Sequence, residues 1–542
     1  MSPVSTVLKQ VQLRAACAPG SIALSDWTAG NKQVSYAELA ATASRVAAGL
    51  CALSLARGDR VVLVLPHGLE FMGTLLGCVG IGAIAVPAPT PEGSRQRAFE
   101  ERLTSIAEDC SPRLLVTTED FAGRVAAVPV NRGARIVTWN AVLTAADGYG
   151  ALPERVAQAD DPLLLQYTSG STGRPKGVVV THAMVEAQCA QAREAYAESP
   201  DDVAVTWVPL YHDMGLVTGV LRPLHTGYHS VLMPAREFVR RPRSWLDAIH
   251  RYRATLSSAP NFAYDYCVRK VELDDADPLD LSSWRVARNA GEVVRAATQD
   301  RFIAAFGKAG FRASSFCPSY GMAEATLTIT TCGPDVPPRR IITGRGDTVL
   351  SSGVPLPGTH VEVRKDEGAT GEPQAGELWV KGPQVFSRYW PDRAAQVQDG
   401  WLKTHDVGFV DGGHVFVLGR ADGTVIVNGR NFFGHDIYNA CLEVAGLRPG
   451  RSVAVTAPLD ESPDEVVWLV GEIAVGSDTT ERNLSQTAAE AREVIFSRTG
   501  LAVSAVGLLS PGEMPLTTSG KVQVGRVRSG LAAGSLRLIW RG

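Results

Sequence analysis

Apolar positions recur at helical spacing from Tyr36 to Leu53, then gather into the run Arg60-Val61-Val62-Leu63-Val64-Leu65, which Pro66 ends. A stripe at that spacing predicts an amphipathic helix, and a short apolar run closed by a breaker predicts a buried strand. The alternation continues. Glu70 to Val79 reads as a helix, and Ala83 to Pro87, Arg113 to Thr117 and Arg135 to Trp139 read as strands. Pro162 to Leu165 and Val203 to Val208 extend the series, which holds to about Phe316. Apolar strands alternating with helices predict an α/β fold of parallel sheets covered on both faces. Gly77, Gly80 and Gly82 follow a helix instead of opening one, so they predict close helix–sheet packing and not a dinucleotide loop. From Thr359 the pattern changes to short alternating strands with frequent Gly and Pro, among them His360 to Val363 and Gly376 to Val380. That predicts a smaller β-rich subdomain. The polar break Gly419-Arg420-Ala421-Asp422-Gly423 marks a domain boundary, after which strand and helix signals resume.

Composition narrows the class. A chain of 542 residues is too long for one core. Its 45% hydrophobic and 20% charged residues are ordinary for a globular protein. A net charge of -3 argues against a nucleic-acid binder, which would carry a basic face. The nine cysteines are scattered, with no CxxC pair and no metal spacing, which predicts reduced and mostly buried thiols. No leader pattern and no bilayer-length apolar stretch is present, so the expectation is a cytoplasmic protein without membrane insertion.

The richest segment for chemistry is Gln166-Tyr167-Thr168-Ser169-Gly170-Ser171-Thr172-Gly173-Arg174-Pro175-Lys176-Gly177, directly after an apolar run. Glycines let backbone amides approach a ligand, hydroxyls add short donors, and such a loop forms a nest for phosphate oxygens. Lys176 adds a point charge, although the glycine–lysine spacing is not that of a P-loop. Four later motifs complement it. Ser319-Tyr320-Gly321-Met322-Ala323-Glu324-Ala325-Thr326 joins a ring that can stack on a base to a carboxylate suited to magnesium. Asn289-Ala290-Gly291-Glu292 follows a strand signal, and Trp401 to Asp406 ends on a carboxylate able to accept from two ribose hydroxyls. Leu516-Thr517-Thr518-Ser519-Gly520-Lys521 presents a second lysine. Single positions read both ways: His212 divides between packing and pocket lining, and Arg240, Arg241 and Arg243 read as a solvated face. Met233, Phe238, Trp245 and Phe262 read as core one by one, with some expected to line an apolar sleeve.

In this order the motifs resemble the adenylate-forming superfamily of acyl-CoA synthetases, nonribosomal adenylation domains and luciferases, over nearly the whole chain. The segments Tyr211-His212-Asp213-Met214-Gly215-Leu216, Arg251 to Thr255, Ala259 to Tyr264 and Tyr320 to Leu327 are most similar to the fatty-acyl-AMP ligases. The resemblance implies a large ATP- and acyl-binding domain over residues 1–418, a hinge at 419–423 and a small mobile α+β domain over 424–542. It implies that Thr168, Ser169, Gly170, Ser171, Thr172, Gly173 and Lys176 hold the ATP phosphates, and that Glu324, with Thr168 beside it, holds Mg2+. Gly291, Glu292, Ser319, Tyr320, Gly321 and Met322 would surround adenine, and Asp406 and Arg420 would fix the ribose. His212 would line the reacting end, and Lys521 would enter from the second domain to bridge carboxylate and α-phosphate. The implied reaction makes acyl-AMP from a fatty or related carboxylic acid, then passes the acyl group to a separate holo acyl carrier protein. The stretch Cys332 to Ser352 is shorter than in that branch, which keeps free CoA as a rival acceptor. A non-catalytic homologue and a P-loop NTPase are the other rivals; joint retention of Lys176, Glu324, Asp406 and Lys521 speaks against the first, and loop spacing against the second.

Overall fold

A computed structural model describes the chain apart from residues 1–4, 29–31, 93–95, 131–132, 151, 153–156, 169–174, 275, 343–347, 366–374, 395–396, 428–429, 433, 460–464 and 517–521, with backbone alone at 422, 426, 430, 431 and 435. The first helix predicted by periodicity, Tyr36–Ala52, buries Tyr36, Leu39, Ala43, Val46, Ala47 and Leu50 along one face. Ser35 and Glu38 close its start with reciprocal side-chain and backbone bonds, which satisfy amides that have no partner inside the helix. The second, Leu69–Ile81, is apolar all round and buried.

Two large sheets organise the chain before residue 420. Among the described residues, one has the order Arg393–Ala394, Arg388–Tyr389, Lys176–Thr181, Pro162–Thr168, Ile84–Pro87, Arg60–Val64, Leu114–Thr117 and Arg135–Thr138. From Pro162–Thr168 to Arg135–Thr138 neighbouring strands run parallel; the others run antiparallel. The other sheet has a parallel block from Phe316–Gly321 through Val286–Asn289, Leu256–Ala259, Val203–Thr206 and His229–Leu232 to Ile22–Asp26, with antiparallel strands on both edges. A third, antiparallel sheet holds His360–Arg364, Gly376–Lys381 and Trp401–Asp411, and His414–Arg420 pairs with the last of these. Beyond it, Leu447–Pro458, Glu465–Ile473, Ala505–Leu509 and Leu538–Arg541 form a four-stranded sheet with the helices Glu481–Thr499 and Val524–Ala532. The α/β class with parallel sheets, a β-rich part and a small C-terminal part therefore matches the pattern of the chain.

Several local expectations change. Gly77 and Gly80 lie inside the helix Leu69–Ile81, and a Cβ on Gly77 would stand 2.6 Å from Val46 Cγ1. They permit close helix–helix packing, not helix–sheet packing. The strand opening at Pro162 continues through Gln166 and Tyr167 to Thr168, so the first three residues of the expected polar loop are strand. Gly419 and Arg420 belong to the strand His414–Arg420, and only Ala421–Gly423 leaves it. Arg243 is not on a solvated face: its side chain is 14% exposed and bonds Asp247 and Asp277. Arg240 and Arg241 are exposed and paired with Glu237 and Asp247. All nine cysteines are free and, Cys17 and Cys51 apart, buried. No helix among the described residues is long and apolar enough to cross a membrane.

Candidate functional site

The chemistry gathers where strand ends of the sheets meet. Thr168 and Lys176 are paired across the antiparallel strands Pro162–Thr168 and Lys176–Thr181, so the two ends of the Ser/Thr/Gly segment are pinned side by side. Ser169, Gly170, Ser171, Thr172 and Gly173 lie outside the described residues. Lys176 Nζ stands 5.3 Å from the centre of the Tyr389 ring. Tyr389 in turn donates its hydroxyl to Glu324 Oε1 at 2.9 Å. Its strand, Arg388–Tyr389, pairs at Val178 beside the lysine, and Trp390 donates its amide to Gly177 O at 2.7 Å. Tyr389 thus bridges the cation and the carboxylate. The sequence reading missed it; the signal was the aromatic pair Tyr389-Trp390 set before Pro391 in polar surroundings.

Glu324 sits on the short turn Ala323–Ala325 that follows the strand Phe316–Gly321. Burial raises its pKa, and the nearby Asp213 charge acts in the same sense, while Tyr389 and Arg420 oppose them. A carboxylate made costly by burial and by a second carboxylate fits a divalent cation, which would relieve both effects. The turn depends on Gly321, where a Cβ would fall 1.7 Å from Leu327 O. Thr326, at φ 61°, closes the turn by donating Oγ1 to Gln384 O at 2.9 Å.

Tyr320 binds the same neighbourhood to the β-rich sheet. Its hydroxyl donates to Asp406 Oδ2 at 2.6 Å, and burial, then the Asp406 charge, holds the phenol well above its usual pKa. Asp406 faces Arg420 in register across two strands, with Arg420 Nη1 at 3.8 Å from Oδ1. Arg420 also acts electrostatically on Glu324 and Tyr389. Lys176, Tyr389, Glu324, Arg420, Asp406 and Tyr320 therefore form one connected cluster.

Other expected residues take different places. Gly291 has φ 86°, and a Cβ there would stand 2.9 Å from Met214 Cε, so only glycine fits without strain. Glu292 Oε1 accepts from the Phe262 amide at 2.5 Å, tying Asn289–Glu292 to the helix Asn261–Lys270. Ser319 is 2% exposed and its hydroxyl joins Thr331 Oγ1 at 2.7 Å in an interior network with Tyr196. Met322 is half-buried and packs on the apolar groups around Tyr320. His212 caps the short helix Asp213–Leu216 through Nδ1, which accepts from the Met214 amide at 3.2 Å. Met233, Phe238 and Trp245 are wholly buried core, and Trp207 and Phe238 stack at 3.9 Å; Phe262 is 38% exposed. Lys521 lies outside the described residues.

Comparison with known proteins agrees with this geometry. The family model described as AMP-binding enzyme matches residues 11–390. A medium-chain-fatty-acid–[acyl-carrier-protein] ligase of Moorena producens, JamA, is 32% identical over 98% of this chain and 96% of its own length. The long-chain-fatty-acid–AMP ligase FadD28 of Mycobacterium tuberculosis is 33% identical over 86% of this chain and 87% of its own length. A solved structure from a study of fatty acyl-adenylate ligases of E. coli and L. pneumophila superposes with TM-score 0.89 at 28% identity, covering 98% of both chains. With its core cluster, its strand order and these likenesses in agreement, the chain belongs to the AMP-binding enzyme family, in its fatty-acyl-AMP ligase branch.

Proposed function

We propose that this chain activates a fatty or related carboxylic acid with ATP, releasing pyrophosphate, and then passes the acyl group from acyl-AMP to the phosphopantetheine thiol of a separate holo acyl carrier protein. The observation that carries the reading is the connected cluster of Lys176, Tyr389, Glu324, Arg420, Asp406 and Tyr320 in a member of this family. In the first step a carboxylate oxygen attacks the α-phosphorus and the bond to pyrophosphate breaks. In the second, the carrier sulfur attacks the acyl carbonyl, AMP leaves, and the thiol proton goes to solvent.

The residues divide this work by charge. Thr168 and Lys176, paired side by side at the two ends of the 169–175 segment, take the β- and γ-phosphates. Glu324 would hold Mg2+, which when bound would supply positive charge to offset the negative charge of the pyrophosphate leaving group. Tyr389 keeps the Glu324 carboxylate oriented. Asp406, set by Tyr320 and Arg420, accepts from the ribose hydroxyls, and Gly291 to Glu292 with Tyr320 bound the adenine. Lys521, carried on residues 424–542 and swung about 419–423, brings a cation to the two anions that must meet, where a preorganised charge lowers the barrier.

Free CoA is the second reading for the acceptor. It is favoured by a Caulobacter vibrioides relative named putative acyl-CoA synthetase, 34% identical over 92% of this chain. The short antiparallel strands Arg340–Ile342 and Thr348–Leu350 lie in the abbreviated stretch. One experiment separates the two: ATP and an acid panel with either holo carrier protein or CoA, products read by mass. Acyl-carrier product with little acyl-CoA is expected; efficient acyl-CoA formation would overturn the carrier assignment.

A further inference from the structure

Where the large and small units meet, a cation of one lies on a ring of the other. The Arg295 guanidinium carbon stands 3.9 Å from the centre of the Tyr438 ring. Arg295 precedes the helix Ala296–Phe306, and its backbone is well fixed. Its amide donates to Asn261 Oδ1 at 3.1 Å, and it pairs with Val349 in a single antiparallel bridge. Its neighbours Val294 and Ala296 pack with Leu350. Asn261 is wholly buried, and the same Oδ1 accepts from Asn289 Nδ2 at 3.1 Å. One side chain therefore ties Arg295 to the Asn289–Glu292 segment, proposed above to bound the adenine. The guanidinium end has fewer polar contacts: Nε is buried with no hydrogen-bond partner among the described residues. Such a group is costly to bury, and the face of an aromatic ring offsets part of that cost.

Tyr438 presents that face from the small unit. It lies on the helix Gly434–Cys441, whose Ile437, Ala440 and Cys441 enter the core of residues 424–542. Tyr438 itself is half-buried and stands outside that described core. Its hydroxyl end points back to its own unit, since a Cβ on Gly450 would stand 3.5 Å from Oη. Tyr438 also acts electrostatically on Arg451, a second cation of the small unit. The tip of the side chain is thus held at home, and the ring face is left for Arg295. A single cation–π contact biases an equilibrium between two arrangements without locking it.

Resting on the two-step reaction proposed above, we infer that Arg295 and Tyr438 form a clasp that seats the small unit beside the adenine segment for one of the two steps and opens for the other. Lys521 serves the first step, and in the second a thiol must reach the carbonyl of the acyl-AMP, so the unit carrying Lys521 changes place between them. Both clasp residues are positioning residues: they touch neither the acid nor the acceptor. The contact needs the cation and the ring, and it does not need the Tyr438 hydroxyl.

The test measures the two steps separately on the full chain. Pyrophosphate release from ATP, Mg2+ and dodecanoic acid reads the first, and transfer from synthetic dodecanoyl-AMP to the acceptor identified by mass reads the second. Arg295→Met and Tyr438→Leu should each slow one step by about threefold or more, the scale of one cation–π contact, and leave the other unslowed. The double variant should be no worse than the poorer single one, because both remove the same contact. Tyr438→Phe, which keeps the ring, should behave as wild type. Two steps slowed equally, neither slowed, additive losses, or a Tyr438→Phe defect equal to that of Tyr438→Leu overturns the clasp. Wild-type silence with every acid would sink the activation reading instead, and tryptic cleavage after Arg420 or Arg430 then decides the clasp. Faster cleavage in Tyr438→Leu and Arg295→Met, but not in Tyr438→Phe, supports it, and equal cleavage in all four proteins overturns it.

Discussion

Glu324 is a carboxylate held where ionisation is unfavourable, with Tyr389 as its hydrogen-bond donor and Asp213 as a like-charged neighbour. Replacing it with Gln keeps its volume but removes the charge a hard cation needs. Glu324→Gln should raise the Mg2+ concentration for half-maximal pyrophosphate release by at least about tenfold, with partial recovery at high Mg2+. An unchanged metal dependence would return Glu324 to a structural role. Lys521 carries the complementary expectation. Lys521→Ala should leave the circular dichroism and melting profile intact while lowering acyl-AMP formation by roughly two orders of magnitude, the scale of a lost preorganised charge. Near-normal pyrophosphate release would remove it from the mechanism. At this scale the motifs were legible because their residues are close in sequence. Tyr389 was not, because it reaches Glu324 across 65 positions of chain through strand pairing that no local pattern records.

Turns between elements are where one atom decides the geometry of the site. Gly321 has no room for a methyl group, since the Leu327 carbonyl occupies its place. Gly321→Ala must displace the Leu327–Thr328 backbone that follows the Ala323–Ala325 turn carrying Glu324. We expect a loss of about 1–3 kcal/mol in urea unfolding together with a loss of activity beyond what reduced stability explains. Gly123 is the control: it lies inside the helix Glu119–Ala126, and a methyl group there would meet nothing within 4 Å. Gly123→Ala should stabilise by roughly 0.5–1 kcal/mol and leave turnover alone. Equal effects at the two glycines would refute the steric account of the turn. Helices and buried strands were readable here because periodicity of burial is what forms them. The strand end at Gln166 to Thr168 was not, because its polar residues are held by pairing to Lys176–Thr181 and by Gln166 donating Nε2 to Tyr211 O at 2.7 Å. Gly77 misled for a related reason: its partner is the neighbouring helix at Val46, a choice that spacing along one chain cannot express.

On the scale of the whole molecule, the described hydrophobic clusters separate near residue 420. Those built on the large and β-rich sheets draw on Val7 to Leu418, and those around the C-terminal sheet draw on Val425 to Trp540. No cluster among the described residues takes members from both sides. Apolar burial is the main source of cooperativity, so two separate cores should unfold as two units. Contacts between the halves do exist, such as Arg295 lying 3.9 Å over the Tyr438 ring, but a single such contact is worth about 0.5–2 kcal/mol and cannot merge two cores. Calorimetry of the full chain should therefore show two transitions, the smaller belonging to residues 424–542. A non-hydrolysable acyl-adenylate analogue touches the large unit directly and, in the proposed closed state, Lys521 on the small one. Adding it should raise the larger transition by mass action and draw the smaller one toward it, whereas Lys521→Ala should keep the first effect and lose the second. One transition with equal calorimetric and van't Hoff enthalpies would refute the two-unit organisation, and an unshifted smaller transition in the wild type would refute delivery of Lys521 by that unit.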